Sequence, residues 1–119
     1  ARRAAGLGRR ITVIISYQTR EQQVLCCKID EGEATFGAPA AQALVVTIAD
    51  LEAFETAEEM VGFWPGVKIS GDKSIEVEIG SYFRATLVPA GVRFERSADG
   101  VPNWSTVRYL KLVELVSCP

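Results

Sequence analysis

Short apolar runs rich in β-branched residues, separated by polar and glycine-containing gaps, make up most of the chain, and one stretch departs from that pattern. Ile11 to Tyr17 (ITVIISY) and Gln23 to Ile29 (QVLCCKI) read as buried strands joined through the polar turn Gln18 to Gln22, and Gln42 to Ile48 reads as a third strand. Asp30 to Pro39, with its acids, glycines and proline, reads as a loop. From Asp50 the period changes. At about 100° per residue, Leu51, Phe54, Ala57, Met60 and Val61 gather on one side and Glu52, Glu55, Thr56 and Glu59 on the other, predicting an amphipathic helix near 50–62. Asp50 suits its N-cap. Thr56, three residues before Glu59, offers a second start that would make two short turns of the segment, and Gly62 and Pro65 end it either way.

Beyond the helix the pattern alternates. Ile75, Val77 and Ile79 are interleaved with Glu76 and Glu78, which describes a strand with one wet face. An antiparallel register that sets Ile79 opposite Phe83, Val77 opposite Ala85 and Ile75 opposite Leu87 also sets Glu78 opposite Arg84, so polarity matches on both faces. Val88-Pro89-Ala90-Gly91 suits a type I turn, after which Leu87 would face Val92, Ala85 face Phe94 and Arg84 face Glu95 in a third strand of a meander. Ser97 to Asn103 reads as a longer loop. Trp104 to Val116 reads as a last strand whose mixed pattern predicts burial on both faces near its end.

Together these elements predict a single β-rich α+β domain over residues 11–119, a small antiparallel barrel or sandwich of about six to eight strands with one helix, preceded by an arm over residues 1–10. The order of elements, three strands, a helix and further strands ending in LKLVEL, is similar to that of oligonucleotide-binding five-stranded barrels (OB-like). The same runs fit an SH3-like barrel.

Composition narrows the chemistry more than the fold. With 119 residues, 48% of them hydrophobic and 24% charged, the chain fits one soluble domain, and no apolar run reaches membrane-spanning length. The first apolar run is too short for a signal-peptide core, and three cysteines, two of them adjacent, do not make a disulfide framework. These features predict a protein that is not secreted and that resides in the cytoplasm or a virion. The chain has no His, which removes the commonest general base, the usual zinc nitrogen ligand and every His-dependent triad. Cys26 and Cys27 follow Val24 and Leu25 and read as small buried hydrophobes. No phosphate-binding glycine loop occurs. No catalytic residue, metal site or cofactor is predicted, and the chain reads as a non-enzyme.

Charge placement gives the functional expectation. Residues 1–20 carry five Arg and no acid, residues 21–79 carry twelve acids against three Lys, and residues 80–119 carry five bases and three acids. Arg2, Arg3, Arg9 and Arg10 form a basic arm, which points to an anionic partner. Strand parity puts Arg84, Thr86, Arg93, Glu95, Trp104, Thr106 and Arg108 on one outer face. Of these, Arg93 and Arg108 lack an evident acidic partner, and Trp104 could stack on a base. The expected function is therefore nucleic-acid binding, single-stranded rather than duplex, through Arg2, Arg3, Arg9, Arg10, Arg93, Trp104 and Arg108. Two other classes fit the same charges: a structural or assembly subunit of a viral or phage particle or another homo-oligomer, and a small inhibitor whose acidic middle masks a basic partner.

Overall fold

A computed structural model of the chain describes residues 12–91 and 94–118. The order is β1 (Ile14–Tyr17), α1 (Arg20–Cys27), α2 (Ile29–Phe36), α3 (Ala38–Leu51), α4 (Ala57–Phe63), β2 (Val67–Ser70), β3 (Ser74–Ile79), β4 (Phe83–Pro89), a 3-10 turn (Trp104–Thr106) and β5 (Tyr109–Ser117). The fold is α+β, and its strands form one mixed sheet of five in the order β1-β5-β4-β3-β2, with β1 parallel to β5 and the other pairs antiparallel. The sheet is open, with β1 and β2 as its edges, where a small antiparallel barrel or sandwich of about six to eight strands was expected.

The largest departure lies between Thr19 and Leu51, where two expected strands and a loop are three helices. Thr19 caps α1 through a reciprocal capping box: its hydroxyl accepts from the Gln22 amide at 3.1 Å, and the Gln22 side chain accepts from the Thr19 amide at 3.1 Å. That arrangement satisfies free amides of the first turn and fixes a helix where a hairpin turn was expected. At α3 the start is set by Gly37, whose φ of 90° suits glycine, and by Pro39 in the first turn, where a missing N–H costs nothing. Its buried positions, Ala40, Ala41, Leu44, Thr47, Ile48 and Leu51, follow a helical period, although the β-branched run Val45 to Ile48 favours a strand locally. Burial of that stripe against the sheet outweighs a propensity difference of less than about 1 kcal/mol per residue. Gly32 lets α2 approach closely: a Cβ there would lie 3.2 Å from both the Ala41 Cβ and the Leu25 carbonyl oxygen.

The expected helix over 50–62 divides where its second start lies. Asp50 belongs to the last turn of α3, and Thr56 caps α4, accepting from the Glu59 amide at 3.2 Å while the Glu59 carboxylate accepts from the Glu55 amide at 2.9 Å. On the other side, β3 and β4 pair in the expected register, from Ile75 opposite Leu87 to Ile79 opposite Phe83. Helices cover the face bearing Ile75, Val77, Ile79, Phe83, Ala85 and Leu87, all buried, and Phe36 of α2 meets Phe83 edge to face with ring centroids 4.8 Å apart. Among the described residues the expected third meander strand does not form: β4 continues through Pro89 and takes β5 as its second neighbour, with Ala85 opposite Leu115 and Leu87 opposite Leu112. Phe94 and Glu95 lie in the connecting loop, and Val92 and Arg93 lie outside the described residues.

Candidate nucleic-acid interface

The face of the sheet turned away from the helices is the surface on which the expected binding residues should meet. Its positions on β5 are set by a register shift between Thr86 and Leu87 of β4, which leaves Val113 as an extra residue between Leu112 and Glu114. Outward positions are therefore Tyr109 and Lys111 before the bulge and Glu114 and Val116 after it, while Leu110 and Leu112 point inward and are fully buried. The mixed pattern of LKLVEL comes from this change of parity and not from burial on both faces.

Trp104 does not join that face. It sits in the 3-10 turn capped by Asn103, whose side chain accepts from the Ser105 amide at 3.3 Å, and it is 8% exposed within the core cluster with Met60 and Val107. The strand parity used to place Trp104 and Thr106 fails because neither is in a strand. Arg108 is half-buried just before β5, its guanidinium carbon 5.6 Å from the Tyr109 ring centroid. Arg2, Arg3, Arg9, Arg10 and Arg93 lie outside the described residues.

The outer face instead presents Ile14 and Tyr109 as a directly opposed pair on β1 and β5, 50% and 40% exposed. Lys111 is the next outward residue along β5 and is exposed. Neither Arg108 nor Lys111 has an ion-pair partner among the described residues. Tyr109 and Lys111 went unrecognised in the sequence for one reason, the wrong starting point for β5. Toward β2 the face changes character. Glu76 lies 3.5 Å from the Lys68 ammonium and 4.0 Å from the Arg84 guanidinium, so Arg84 leans on Glu76 diagonally while Glu78 is its direct cross-strand neighbour. Glu95, an expected partner of Arg84, is held in the loop, where it accepts from the Asn103 side chain at 3.4 Å and its amide donates to the Thr106 hydroxyl at 2.9 Å. On this face the basic side chains without an ion-pair partner among the described residues are thus Arg108 and Lys111, at the β1–β5 side, while Lys68 and Arg84 share Glu76.

Other groups with chemical potential have structural occupations. Cys26 is buried, and desolvation pushes its thiol up to about 12, so it stays protonated. Tyr17 is raised as well, first by burial and then by its hydrogen bond with the exposed Cys27, whose sulfur lies 3.6 Å from the hydroxyl. The hydroxyl of Ser97 and the Val101 amide donate to Asp99, which lowers its pKa within an exposed turn. Glu52, read as part of a solvated helix face, accepts the Ile15 amide at 3.0 Å. Among the described residues no group of three or more His, Cys, Asp and Glu is placed to hold a metal ion, and no helix is long and apolar enough to cross a membrane. A groove of about 410 Å³ beside α1 is lined by Thr19, Gln22, Leu25, Phe36 and Leu115 among others, with no charged cluster directed into it. Comparison with protein-family models, with curated proteins and with solved structures gives no match for this chain.

Proposed function

We propose that this chain is a non-enzymatic nucleic-acid-binding domain in which the Arg-rich arm supplies phosphate contacts and the β1–β5 side of the open sheet positions single-stranded bases. The observation that carries this reading is the grouping of Tyr109, Arg108 and Lys111 on an uncovered face, with Ile14 opposite Tyr109 and no acidic partner on either cation among the described residues. An aromatic ring beside cations on a flat sheet suits unpaired bases, because every base offers a π-face and the backbone supplies the negative charge. Tyr109 takes the stacking role that Trp104, being buried, does not fill.

Fluorescence anisotropy with a labelled single-stranded oligonucleotide tests the proposal. Tyr109→Ala should lose roughly 1 to 3 kcal/mol of binding, the contribution of one stacked base. Lys111→Ala should weaken binding and reduce its salt slope by about one phosphate contact. Unchanged affinity in both variants would remove the sheet face from the function. A second reading, an assembly subunit, is favoured by a different observation: Phe63 at the end of α4 is 75% exposed and Ile69 on the edge strand β2 is 42% exposed.

A further inference from the structure

The two edges of the sheet are finished differently. Beside β1, the outward amides of Val13 and Ile15 are occupied by the segment after α3: Val13 donates to the Phe54 carbonyl at 2.8 Å and Ile15 to the Glu52 carboxylate at 3.0 Å. That edge is covered over Val13 to Ile15, one of the ways proteins blunt a sheet edge. Among the described residues the β2 edge has no such cover. Because the Glu78 amide donates to Gly66 at 3.0 Å, the antiparallel alternation directs the backbone groups of Gly66, Lys68 and Ser70 toward β3 and those of Val67 and Ile69 outward. The Val67 amide is taken by the Trp64 carbonyl at 3.3 Å. The N–H and C=O of Ile69 are left facing outward with no backbone partner among the described residues.

The side chains add a second, independent asymmetry. Ile69 lies opposite Ile75 on the face that the helices cover, yet Ile75 is fully buried and Ile69 is 42% exposed, so the apolar face extends one strand beyond its cover. We propose that a second copy of this chain adds its β2 to this edge, antiparallel and centred on Ile69, joining the two sheets into one. Residues directly opposite in such a pair share a face, which limits the register. Centring on Lys68 would oppose two like charges. Centring on Ile69 lets the two Ile69 residues exchange both backbone hydrogen bonds and cover one another, and it puts each Lys68 opposite a Ser70. Lys68 does not obstruct this pairing, since its ammonium is drawn back across its own sheet to Glu76 at 3.5 Å. The interface involves neither Tyr109 nor Lys111, so it stands or falls separately from the nucleic-acid reading.

Light scattering on the full chain, at a concentration on the order of 100 μM so that micromolar interfaces are populated, should give twice the monomer mass. Ile69→Pro should give the monomer mass with an unchanged far-ultraviolet circular dichroism spectrum, because proline is tolerated on an edge strand whose N–H faces outward and there it removes the donor the partner needs. Register is read by cross-linking in a Cys27→Ser, Cys118→Ser background, which removes the exposed thiols. A hydrogen-bonded antiparallel pair sets its Cα atoms about 5.5 Å apart, within disulfide range, so Ile69→Cys should oxidise to a covalent dimer. Lys68→Cys, facing Ser70 of the partner, should not. A monomer at the highest concentration, a dimer that survives Ile69→Pro, or cross-linking through Lys68→Cys in place of Ile69→Cys would each overturn the interface.

Discussion

Trp104 and Tyr109 are close in sequence, are both aromatic, and have opposite surroundings: one is packed in the core at 8% exposure and the other stands on the open face at 40%. Trp104→Ala should therefore cost about 3 to 5 kcal/mol of stability, while Tyr109→Ala should cost less than about 1, both measured by urea unfolding. The reverse order would mean that the 3-10 turn is misplaced. Cys26 supplies a pH-dependent test. Its thiol goes from 9.0 to about 12 on burial, so between those values the folded chain holds a proton that the unfolded chain has released. The stabilisation is complete below about pH 9 and is lost as pH rises toward 12, with a slope of at most about 1.4 kcal/mol per pH unit. Tyr17, raised for the same physical cause, acts in the same direction. Urea midpoints at several pH values should show this alkaline decline, and Cys26→Ala should show a shallower one. A slope that survives the substitution unchanged would assign the decline to other groups.

At the scale of elements, β3 and β4 were legible residue by residue because alternation and charge complementarity constrain an antiparallel pair from both faces. The helices were not, because short apolar runs such as Gln23 to Ile29 satisfy either period, and β-branched Val45 to Ile48 point locally to a strand. The decisive signals lay in the boundaries: Thr19 with Gln22, Gly37 with Pro39, and Thr56 with Glu59, of which only the last pair falls beside a run with visible helical period. The bulge at Val113 was hidden because no local pattern distinguishes an inserted residue from two-sided burial. Helix packing gives its own test through two glycines. In an open helical position, Gly→Ala gains about 0.5 to 1 kcal/mol, and Gly62 of α4, with nothing within 4 Å of an added Cβ, should show that gain. Gly32→Ala brings the same propensity gain into a site where the neighbours are an α3 side chain and a backbone carbonyl at 3.2 Å, neither of which can rotate away. Overpacking of this kind costs roughly 1 to 3 kcal/mol, so the net effect at Gly32 should be destabilising. Thermal unfolding of the two variants should move in opposite directions.

For the molecule as a whole, the proposed function rests on charge placement, and the fold sets where the described charges lie. On the outer sheet face, Arg108 and Lys111, near where β1 meets β5, have no ion-pair partner among the described residues, while Glu76 is shared between Lys68 and Arg84 toward the far edge. The Arg-rich first ten residues precede β1, so the chain itself joins the arm to that side of the face. If arm and face act on one ligand, each phosphate neutralised releases condensed counterions, and the logarithm of affinity falls with the logarithm of salt by about 0.7 per contact on a single strand. Deleting residues 1–10 removes Arg2, Arg3, Arg9 and Arg10, so the slope should fall by up to about 3, while the unfolding midpoint should stay in place because those ten residues carry few core-forming side chains. Tyr109→Ala, in contrast, should lower affinity at every salt concentration and leave the slope as it was, because stacking displaces no counterions. Titrations of the truncated and substituted chains over a range of salt separate the two contributions. A truncated chain with the full slope would show that the arm makes no phosphate contact and would leave Arg108 and Lys111 as the basic side chains available to this face.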